Sequence, residues 1–478
     1  MVSKESSKEF VSKASWLLYM AAFGSLLGGV SIGLAMGYAS PAIPSMEKDF
    51  SHPHYDHKKD QDIESWIQSV PTLGGMFGAF SGGFLSGIRG TRICLMANCI
   101  PFLIGWLLVG VASNTSMIII GRLITGVCCG IFTSSLPTFL NEISPLNLRG
   151  MLGTGFQISC NIGVLIPSIL GMFVEWEMLA LLSSIPSIAM PIILYFSPES
   201  PIYMFNKFGA SKETLKSLQQ LRSSDSDCSE ELNLMAQAPQ EHQPIILSWK
   251  QIRKPVVYKP LIYTWTLLIL VHLMGLNAII FNEKIIFIMS GIPLNADVCC
   301  IILNTLAVLA TLVSAALAGK VGRKTILLVS GVGNFVSMIG LSFCFLLSTK
   351  VDRFGERYGL FVLIFTIGFL SFFMFGWGPI PWVIGPELCP YFARGFILST
   401  GASLNWFVGF IVPKEFGALE HAITPAGTYL VFALMCVVGV VFTLIFVPET
   451  RGKTNAEILE LFERPSSEET VQKTFKQP

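Results

Sequence analysis

The sequence contains one charged motif twice. Glu-x-x-Pro-x-x-x-Arg-Gly begins at Glu142 in the first half of the chain and at Glu387 in the second, so that Arg149 and Arg394 occupy the same place in each copy. A carboxylate accepts charge-assisted hydrogen bonds from guanidinium groups, and a few such bonds can clamp the ends of neighbouring helices together. The motif therefore predicts two equivalent ion-pairing sites and an internal duplication of the chain.

Four polar residues interrupt an apolar stretch that follows the first copy. They recur at spacings of three, four and seven residues: Thr154, Gln157, Asn161 and Ser168. These spacings place the four side chains on one face of a helix. Lipid excludes polar side chains unless they face a cavity or pack against another helix, and the spacing fits both arrangements.

The composition places these motifs in a membrane protein. The 478 residues are 52% hydrophobic and only 13% charged, and the mean hydropathy is +0.62, which is too apolar for a soluble protein. A helix needs roughly 20 apolar residues to cross a bilayer core. Twelve spans are predicted, over residues 15–38, 63–86, 93–113, 117–140, 150–174, 177–196, 258–281, 297–318, 325–347, 359–385, 396–417 and 425–447.

The segments between the spans predict the orientation of the chain. Twelve spans place both termini on one side of the membrane, and most of the 32 lysine and arginine residues lie in the segments on that side. The positive-inside rule therefore predicts cytoplasmic termini. The predicted parts are a cytoplasmic N-terminus (1–14), a six-helix bundle (15–196), a cytoplasmic helical linker (197–257), a second six-helix bundle (258–447) and a cytoplasmic tail (448–478).

Two further motif pairs support a duplication. "IRGTR" starts at Ile88 between spans two and three, and "VGRKT" starts at Val321 between spans eight and nine. "PESP" at Pro198 follows span six, and "PETR" at Pro448 follows span twelve. Three pairs in matching places predict two six-helix repeats that run in parallel.

These motifs, together with "GPIPWVIGPEL" and "PETRGKT", resemble those of the sugar porter family in the major facilitator superfamily over nearly the whole chain. "SPAIPSM" after span one is similar to the insect trehalose-transporter branch. The resemblance implies an all-α membrane protein with the major facilitator fold: twelve transmembrane helices in two six-helix repeats, plus cytoplasmic helices. It also implies facilitative transport of a sugar, a hexose or trehalose, by alternating access.

The resemblance further implies a cytoplasmic gate that latches the outward-facing state. Its predicted members are Arg89, Arg92, Glu142, Arg149, Arg323, Glu387 and Arg394. In the alternative interpretation, the arginines only satisfy the positive-inside rule. This chain lacks the acidic residue that the family has three positions before each loop glycine, because Gly87 and Gly319 stand there, and Thr91 replaces a basic residue. We therefore expect a weak latch and a larger inward-facing population.

The substrate site is also predicted from the resemblance. The residues that match family sugar-binding positions are Gln157, Asn277, Asn304, Trp382, Asn405 and Trp406. Amides donate and accept hydrogen bonds at once, which suits sugar hydroxyl groups, and indoles pack on the C–H faces of sugar rings.

Span seven adds His272 as a candidate specificity determinant. In an unbroken helix, His272 and Asn277 would lie about 140° apart, so a local break at Gly275 is expected to let both reach one cavity. Val271 and His272 replace two adjacent glutamines of the family, and Met374 stands where some members have a glutamate. The identity of the sugar is therefore left open.

Other chemistry is not expected. An outer loop contains three histidines and an aspartate, His52, His54, His57 and Asp56, but a solvated loop is the better interpretation and we predict no metal site. No span contains a grouping of serine, histidine and an acidic residue, or a motif of cysteine and histidine, that would indicate catalysis. The chain is therefore predicted not to be an enzyme and to need no cofactor. The predicted partners are a small sugar and the lipid bilayer, without nucleic acid or an obligate protein partner.

The sequence thus predicts a facilitative sugar transporter in the plasma membrane. Three alternatives stay open: a proton-coupled sugar symporter, a carrier of a non-sugar solute, and a sugar-binding sensor with little transport. Ser31 stands where proton-coupled relatives have an aspartate, and span one contains no carboxylate, so Arg122 of span four, which would face that aspartate, is expected to reach another polar group or the outer surface. Proton coupling is therefore not expected.

Overall fold

The computed structural model describes residues 14–47, 61–145, 148–222, 228–237, 247–317, 320–351, 353–453 and 455–463. These residues form 20 helices, and the β-structure within them is one isolated bridge between Ala14 and Arg222. The prediction of an all-α protein is confirmed. Contacts within the chain divide it into two compact units, Met1–Gln240 and Glu241–Pro478.

The first unit contains the helices of the first repeat and part of the polar linker. They are α1 (Trp16–Gly37), α2 (Ala39–Met46), α3 (Gln61–Arg89), α4 (Thr91–Gly110), α5 (Thr115–Ile143), α6 (Arg149–Leu170), α7 (Trp176–Ser183), α8 (Ile185–Tyr195), α9 (Pro201–Phe208), α10 (Lys212–Leu221) and α11 (Cys228–Gln237). Side chains cap two of the membrane helices at their first turns: the Ser15 hydroxyl accepts from Leu17 N, and the Asn114 amide oxygen accepts from Met117 N.

The second unit contains the helices of the second repeat. They are α12 (Trp249–Ile252), α13 (Pro255–Leu273), α14 (Leu276–Met289), α15 (Ala296–Leu317), α16 (Arg323–Ser348), α17 (Phe354–Phe375), α18 (Ile380–Leu388), α19 (Tyr391–Phe446) and α20 (Asn455–Glu463). Within α19, Thr424 has a φ of 69° directly before Pro425, so this long element is two helices joined at a kink.

The helices account for the predicted spans. Ten segments of the described chain are long and apolar enough to cross a membrane. One of them, α19, covers the last two predicted spans on either side of its kink. Predicted span two corresponds to α3, which has 29 residues but is not among the ten because glycine and serine lower its hydropathy.

The glycines of α3 allow this helix to pack closely against α5. A β-carbon on Gly78 would lie 1.9 Å from the carbonyl oxygen of Val127, and one on Gly82 would lie 2.2 Å from the Ser134 hydroxyl. Small residues at this spacing let two membrane helices approach closely, so α3 and α5 pack backbone against backbone.

Span seven breaks where the sequence predicts. Helix α13 ends at Leu273, and α14 begins at Leu276 after Gly275, whose φ of +95° lies in the left-handed region. The ring of Phe432 lies against Gly275, so close that a β-carbon there would be 2.8 Å from it. Glycine therefore permits both the backbone conformation and the close packing.

Candidate functional site

The candidate gate residues of each unit lie at one end of its helices, which we call the inner end. It comprises the loop motif before α4 or α16, the Glu-x-x-Pro motif, and the "PESP" or "PETR" segment. In the first unit, Glu142 accepts a hydrogen bond from the Thr91 hydroxyl at 3.0 Å and another from Ser200. The described contacts of this carboxylate are therefore with neutral hydroxyl groups.

Arg92 of the first inner end pairs with Glu199 instead of Glu142. The backbone N–H of Arg92 donates to Glu199 at 3.1 Å, and Arg92 Nε lies 3.7 Å from the same carboxylate. The guanidinium also donates to the carbonyl oxygens of Leu194, Tyr195 and Ser197 at the end of α8. Arg92 thus binds the start of α4 to the end of α8.

The second inner end contains an ion pair at the carboxylate equivalent to Glu142, whose described contacts are neutral. Arg323 Nη2 lies 3.4 Å from Glu387 Oε1, with the two side chains 20% and 30% exposed. The backbone N–H groups of Arg323 and Lys324 donate to Glu449 at 2.9 and 3.2 Å, and Lys324 Nζ donates to the carbonyl of Leu444 at 2.8 Å. The carboxylate of Glu449 therefore caps α16 as that of Glu199 caps α4.

The other predicted gate arginines are Arg89, Arg149, whose side chain lies outside the described part of the structure, and Arg394. Arg89 is exposed and has no ion-pair partner among the described residues. Arg149 is the first residue of α6. Arg394 donates to the carbonyl of Cys389 at 3.5 Å, and its guanidinium lies 5.8 Å from the centre of the Tyr391 ring. These contacts hold Arg394 within its own motif.

The two capping glutamates were not assigned a role from the sequence. Glu199 and Glu449 belong to "PESP" and "PETR", which served only as evidence of duplication. A carboxylate at the same place in both copies, directly after the last span of each repeat, is the signal that indicates an interaction with a helix start.

Candidate substrate residues of the second unit come together at Gly409 on α19. Asn277 Nδ2 donates to the Gly409 carbonyl at 3.1 Å, and the imidazole of His272 lies on the same backbone. Asn405, one turn earlier on α19, donates to the Leu268 carbonyl at 2.7 Å and also hydrogen-bonds His272. The break at Gly275 thus places His272 and Asn277 against one helix.

Two tryptophans and a further asparagine belong to the same unit. Trp406 is buried, and its indole N–H has no hydrogen-bond partner among the described residues. Trp382 is half-buried in α18. Asn304 is buried in α15, where its amide donates to the carboxylate of Glu283. A buried donor without a partner is unfavourable, so the indole of Trp406 is suited to an acceptor on a ligand.

The polar face of α6 lies in the first unit. Gln157 is half-buried and donates to Asn161 at 3.3 Å. The hydroxyls of Thr154 and Ser168 donate to carbonyls of their own helix, those of Met151 and Val164. The amides of Gln157 and Asn161 therefore form a side-chain to side-chain hydrogen bond within this polar face.

Arg122 is completely buried in the first unit, and no carboxylate of the described segments forms an ion pair with it. Its guanidinium donates to the carbonyls of Ala35 at 2.6 Å and Ile67 at 3.4 Å, and packs on the rings of Tyr38 and Trp106. The hydroxyl of Ser31 instead donates to Leu27 of its own helix. Cation–π packing and carbonyl groups therefore take the place of a counter-ion.

The part of the chain that the structure describes contains no group of three or more histidine, cysteine, aspartate or glutamate side chains that could bind a metal ion. The histidine-containing loop lies outside the described residues, as does Gly319.

Known proteins resemble the chain over almost its whole length. The family model described as "Sugar (and other) transporter" matches residues 17–462. Facilitated glucose transporter member 8 of solute carrier family 2 from Bos taurus is 32% identical, over 93% of this chain and 94% of that protein. Trehalose transporter 1 from Drosophila melanogaster is 31% identical over 93% of this chain, which spans 51% of that longer protein.

A solved structure shows the same fold. The proton:xylose symporter XylE, a major facilitator superfamily protein solved with 6-bromo-6-deoxy-D-glucose, covers 93% of this chain with a TM-score of 0.75 and 21% identity. This similarity confirms the predicted major facilitator fold. The family model and the relatives are transporters, which agrees with the prediction that the chain is a transporter and not an enzyme. The chain is a multi-pass integral membrane transporter and belongs to the family of sugar (and other) transporters.

Proposed function

We propose that this chain is a facilitative transporter of a hexose or of trehalose, which works by alternating access in the plasma membrane with both termini in the cytoplasm. The grouping of His272, Asn277 and Asn405 around Gly409 is the observation that carries the proposal. Amide and imidazole groups offer paired donors and acceptors for hydroxyl groups. The buried indole of Trp406 adds an apolar surface and an unused donor.

The names of the relatives narrow the choice of sugar. The Bos taurus relative is named a facilitated glucose transporter and the Drosophila relative a trehalose transporter. Val271 and His272 replace a pair of amides of the family, and each lost hydrogen bond would weaken hexose binding roughly threefold to tenfold. A larger sugar or a bridging water would compensate.

The test is uptake of labelled glucose, fructose and trehalose by the purified chain in proteoliposomes. Saturable uptake of at least one sugar that stops at equal concentrations on both sides supports facilitative transport. Binding without uptake would indicate a sensor, and neither binding nor uptake of these three sugars would refute a hexose or trehalose transporter and favour another solute.

A glycine pair tests the site itself. A β-carbon on Gly409 would lie 3.1 Å from both Asn277 Nδ2 and the His272 ring, whereas one on Gly417 of the same helix would meet nothing within 4 Å. Gly409→Ala is expected to raise the KM of uptake several-fold, while Gly417→Ala serves as the matched control and leaves it unchanged. Equal KM values in both variants would place sugar binding elsewhere.

A further inference from the structure

An exposed basic surface lies directly before the first membrane-spanning helix of the second unit. We call it the α12 surface, and it consists of Trp249, Lys250, Arg253, Lys254 and Tyr258. The three basic side chains are exposed, and the two aromatic residues are 66% and 38% exposed. Lys254 comes immediately before the first residue of α13, where a membrane-spanning segment begins. The surface therefore lies where the chain enters the bilayer.

The positive charge of the α12 surface is not balanced by neighbouring carboxylates. The sequence contains no acidic residue over positions 242–282. Within the described chain, no carboxylate forms an ion pair with Lys250, Arg253 or Lys254. The next basic residue, Lys259, differs from these three, because its ammonium group donates to the carbonyl oxygen of Phe462 at 3.1 Å. The three exposed charges before α13 are therefore accessible to an anion from outside the protein.

Apolar contacts hold α12 against the inner end of the second unit. Leu247, just before this helix, is 4% exposed and belongs to a buried cluster with Cys389 and Ala393. Ile252, the last residue of α12, packs against the same cluster. Cys389 and Ala393 belong to the second Glu-x-x-Pro motif. The α12 surface is therefore joined to the inner end, while its own side chains stay exposed.

Charge and aromatic character indicate the same partner for this surface. The guanidinium carbon of Arg253 lies 5.3 Å from the centre of the Trp249 ring, so cation–π packing keeps the charge beside the indole. Tryptophan and tyrosine favour the membrane–water interface, because the ring contacts the apolar region and the polar edge contacts the head groups. Lysine and arginine beside a membrane span attract anionic lipids.

We propose that the α12 surface binds the head group of an anionic phospholipid in the leaflet at the inner end of the second unit. The guanidinium of Arg253 binds phosphate oxygens, and the ammonium groups of Lys250 and Lys254 add positive charge around them. Trp249 and Tyr258 contact the boundary between head groups and acyl chains. In the proposed orientation this leaflet is cytoplasmic, and anionic lipids are concentrated there. The site is independent of which sugar the chain carries.

The experiment measures the Kd of fluorescent dioleoylphosphatidylserine for the full chain in detergent micelles. Dioleoylphosphatidylcholine with the same label has the same acyl chains, so the ratio of the two Kd values reports the head group. A lysine or arginine near a membrane surface strengthens the binding of anionic lipid roughly fivefold. The wild-type protein should therefore bind phosphatidylserine at least about tenfold more tightly, and the preference should shrink as the salt concentration rises from about 50 mM to about 500 mM.

Two triple variants separate this surface from the net charge of the chain. The neutral variant combines Lys250→Gln, Arg253→Gln and Lys254→Gln, and its preference for phosphatidylserine should fall below about twofold. The matched control removes three exposed lysines of α9 and α10 through Lys207→Gln, Lys212→Gln and Lys216→Gln, and it should keep the preference.

A third variant guards against misfolding of the neutral one. Lys250→Arg, Arg253→Lys and Lys254→Arg together preserve the charge, so this variant should keep the preference. The melting temperature gives a readout without a fluorescent label, because a lipid that binds only the folded chain raises it. Phosphatidylserine should raise the melting temperature of the wild-type protein more than phosphatidylcholine does, and the neutral variant should lose this difference.

Three outcomes would overturn the proposal. Equal Kd values of the wild-type protein for the two lipids would show that the surface does not recognise the head group. An equal loss of preference in the neutral variant and the matched control would mean that only the net charge matters. If phosphoserine, the water-soluble head group, competes as well as the whole lipid, the partner is a soluble anion. None of these measurements involves sugar, so the proposed function is tested separately.

Discussion

The inner ends of the two units use equivalent carboxylates with different partners. In the second unit, Glu387 forms an ion pair with Arg323, the first residue of α16. In the first unit, the equivalent Glu142 accepts from the hydroxyl of Thr91, the first residue of α4. Among the described contacts, Thr91 therefore provides a neutral hydrogen bond where Arg323 provides a salt bridge, which is the stronger contact.

Other contacts of the inner ends are the same in both units. Glu199 accepts from one backbone N–H group at the start of α4, and Glu449 accepts from two at the start of α16. Each glutamate comes from the segment that follows the last span of its repeat. The basic side chains of Arg92 and Lys324 both donate to carbonyls at the end of that span. The repeats thus keep the contacts that hold each bundle together, and their described contacts differ at the carboxylate predicted for the gate.

The largest effect is expected from removing a capping carboxylate. Glu449→Ala leaves the N–H groups of Arg323 and Lys324 without their acceptor, and hydrogen bonds to a charged group contribute roughly 1.5–3 kcal/mol. The melting temperature of the protein in detergent should fall clearly. Glu199→Ala should cause a similar but smaller fall, because Arg92 keeps its carbonyl partners at the end of α8.

Glu356→Ala provides the control for this comparison. Its side chain is 66% exposed and lies near Arg353 in an i,i+3 pair, so its removal should change stability by less than about 0.5 kcal/mol. If Glu449→Ala melts like Glu356→Ala, the carboxylate does not stabilise the start of α16.

Exchanging the residues that differ should reverse the asymmetry. Arg323→Thr copies the first unit into the second, and Thr91→Arg does the converse. The pair between Arg323 and Glu387 is partly exposed, so its loss is worth up to about 1 kcal/mol, or about fivefold in a conformational equilibrium. Arg323→Thr should favour the inward-facing state, and Thr91→Arg the outward-facing state.

The measurement is the ratio of the KM values for sugar efflux and influx in oriented proteoliposomes, which shifts with the conformational equilibrium. The double exchange restores one salt bridge and should return the ratio close to the wild-type value. A shift in the same direction for both single variants would mean that a salt bridge at these positions does not stabilise the outward-facing state.

The fold is largely predictable from the sequence because each membrane span is recognisable from its length and apolar composition alone. Lengths of about 20 apolar residues and repeated loop motifs locate the helices, and the glycine of "GLN" predicts the break before α14. The described chain shows ten candidate spans instead of twelve, since the glycine and serine residues of α3 lower its hydropathy and the last two spans form one continuous element, α19, with a kink.

The partners of the candidate site are less predictable. The spacing of Glu142 and Glu387 suggests the same partner for both, but the partner depends on Thr91 and Arg323, which stand at the start of another helix. Likewise, Asn304 is recognisable as a sugar-site candidate, whereas its contact with Glu283 arises from the packing of α14 on α15. Contacts between elements that are distant in the chain leave no local pattern in the sequence.

A smaller effect is expected from restoring an acidic residue to the first loop. A β-carbon on Gly87 would meet nothing within 4 Å, so Gly87→Asp can be accommodated. The new carboxylate would lie close to the arginines of the loop, but the last turn of α3 disfavours negative charge, so the gain towards the outward-facing state should stay below about threefold. Gly87→Asn is the uncharged control, and the ratio of efflux to influx KM again reports the change. Equal shifts in both variants would show that charge is not the cause.

No effect is expected from a proton gradient. The first unit buries Arg122 against carbonyls and aromatic rings, and Ser31 bonds its own helix, so this unit shows no buried carboxylate beside the arginine among its described residues. The second unit buries Glu283, whose oxygens accept hydrogen bonds from the amide of Asn304; this carboxylate is not beside Arg122, which belongs to the first unit. Acidifying the outside of proteoliposomes should therefore leave the final internal sugar concentration equal to the external one. Accumulation above equality would contradict this expectation, and its loss in Glu283→Gln would then identify that carboxylate as the proton carrier.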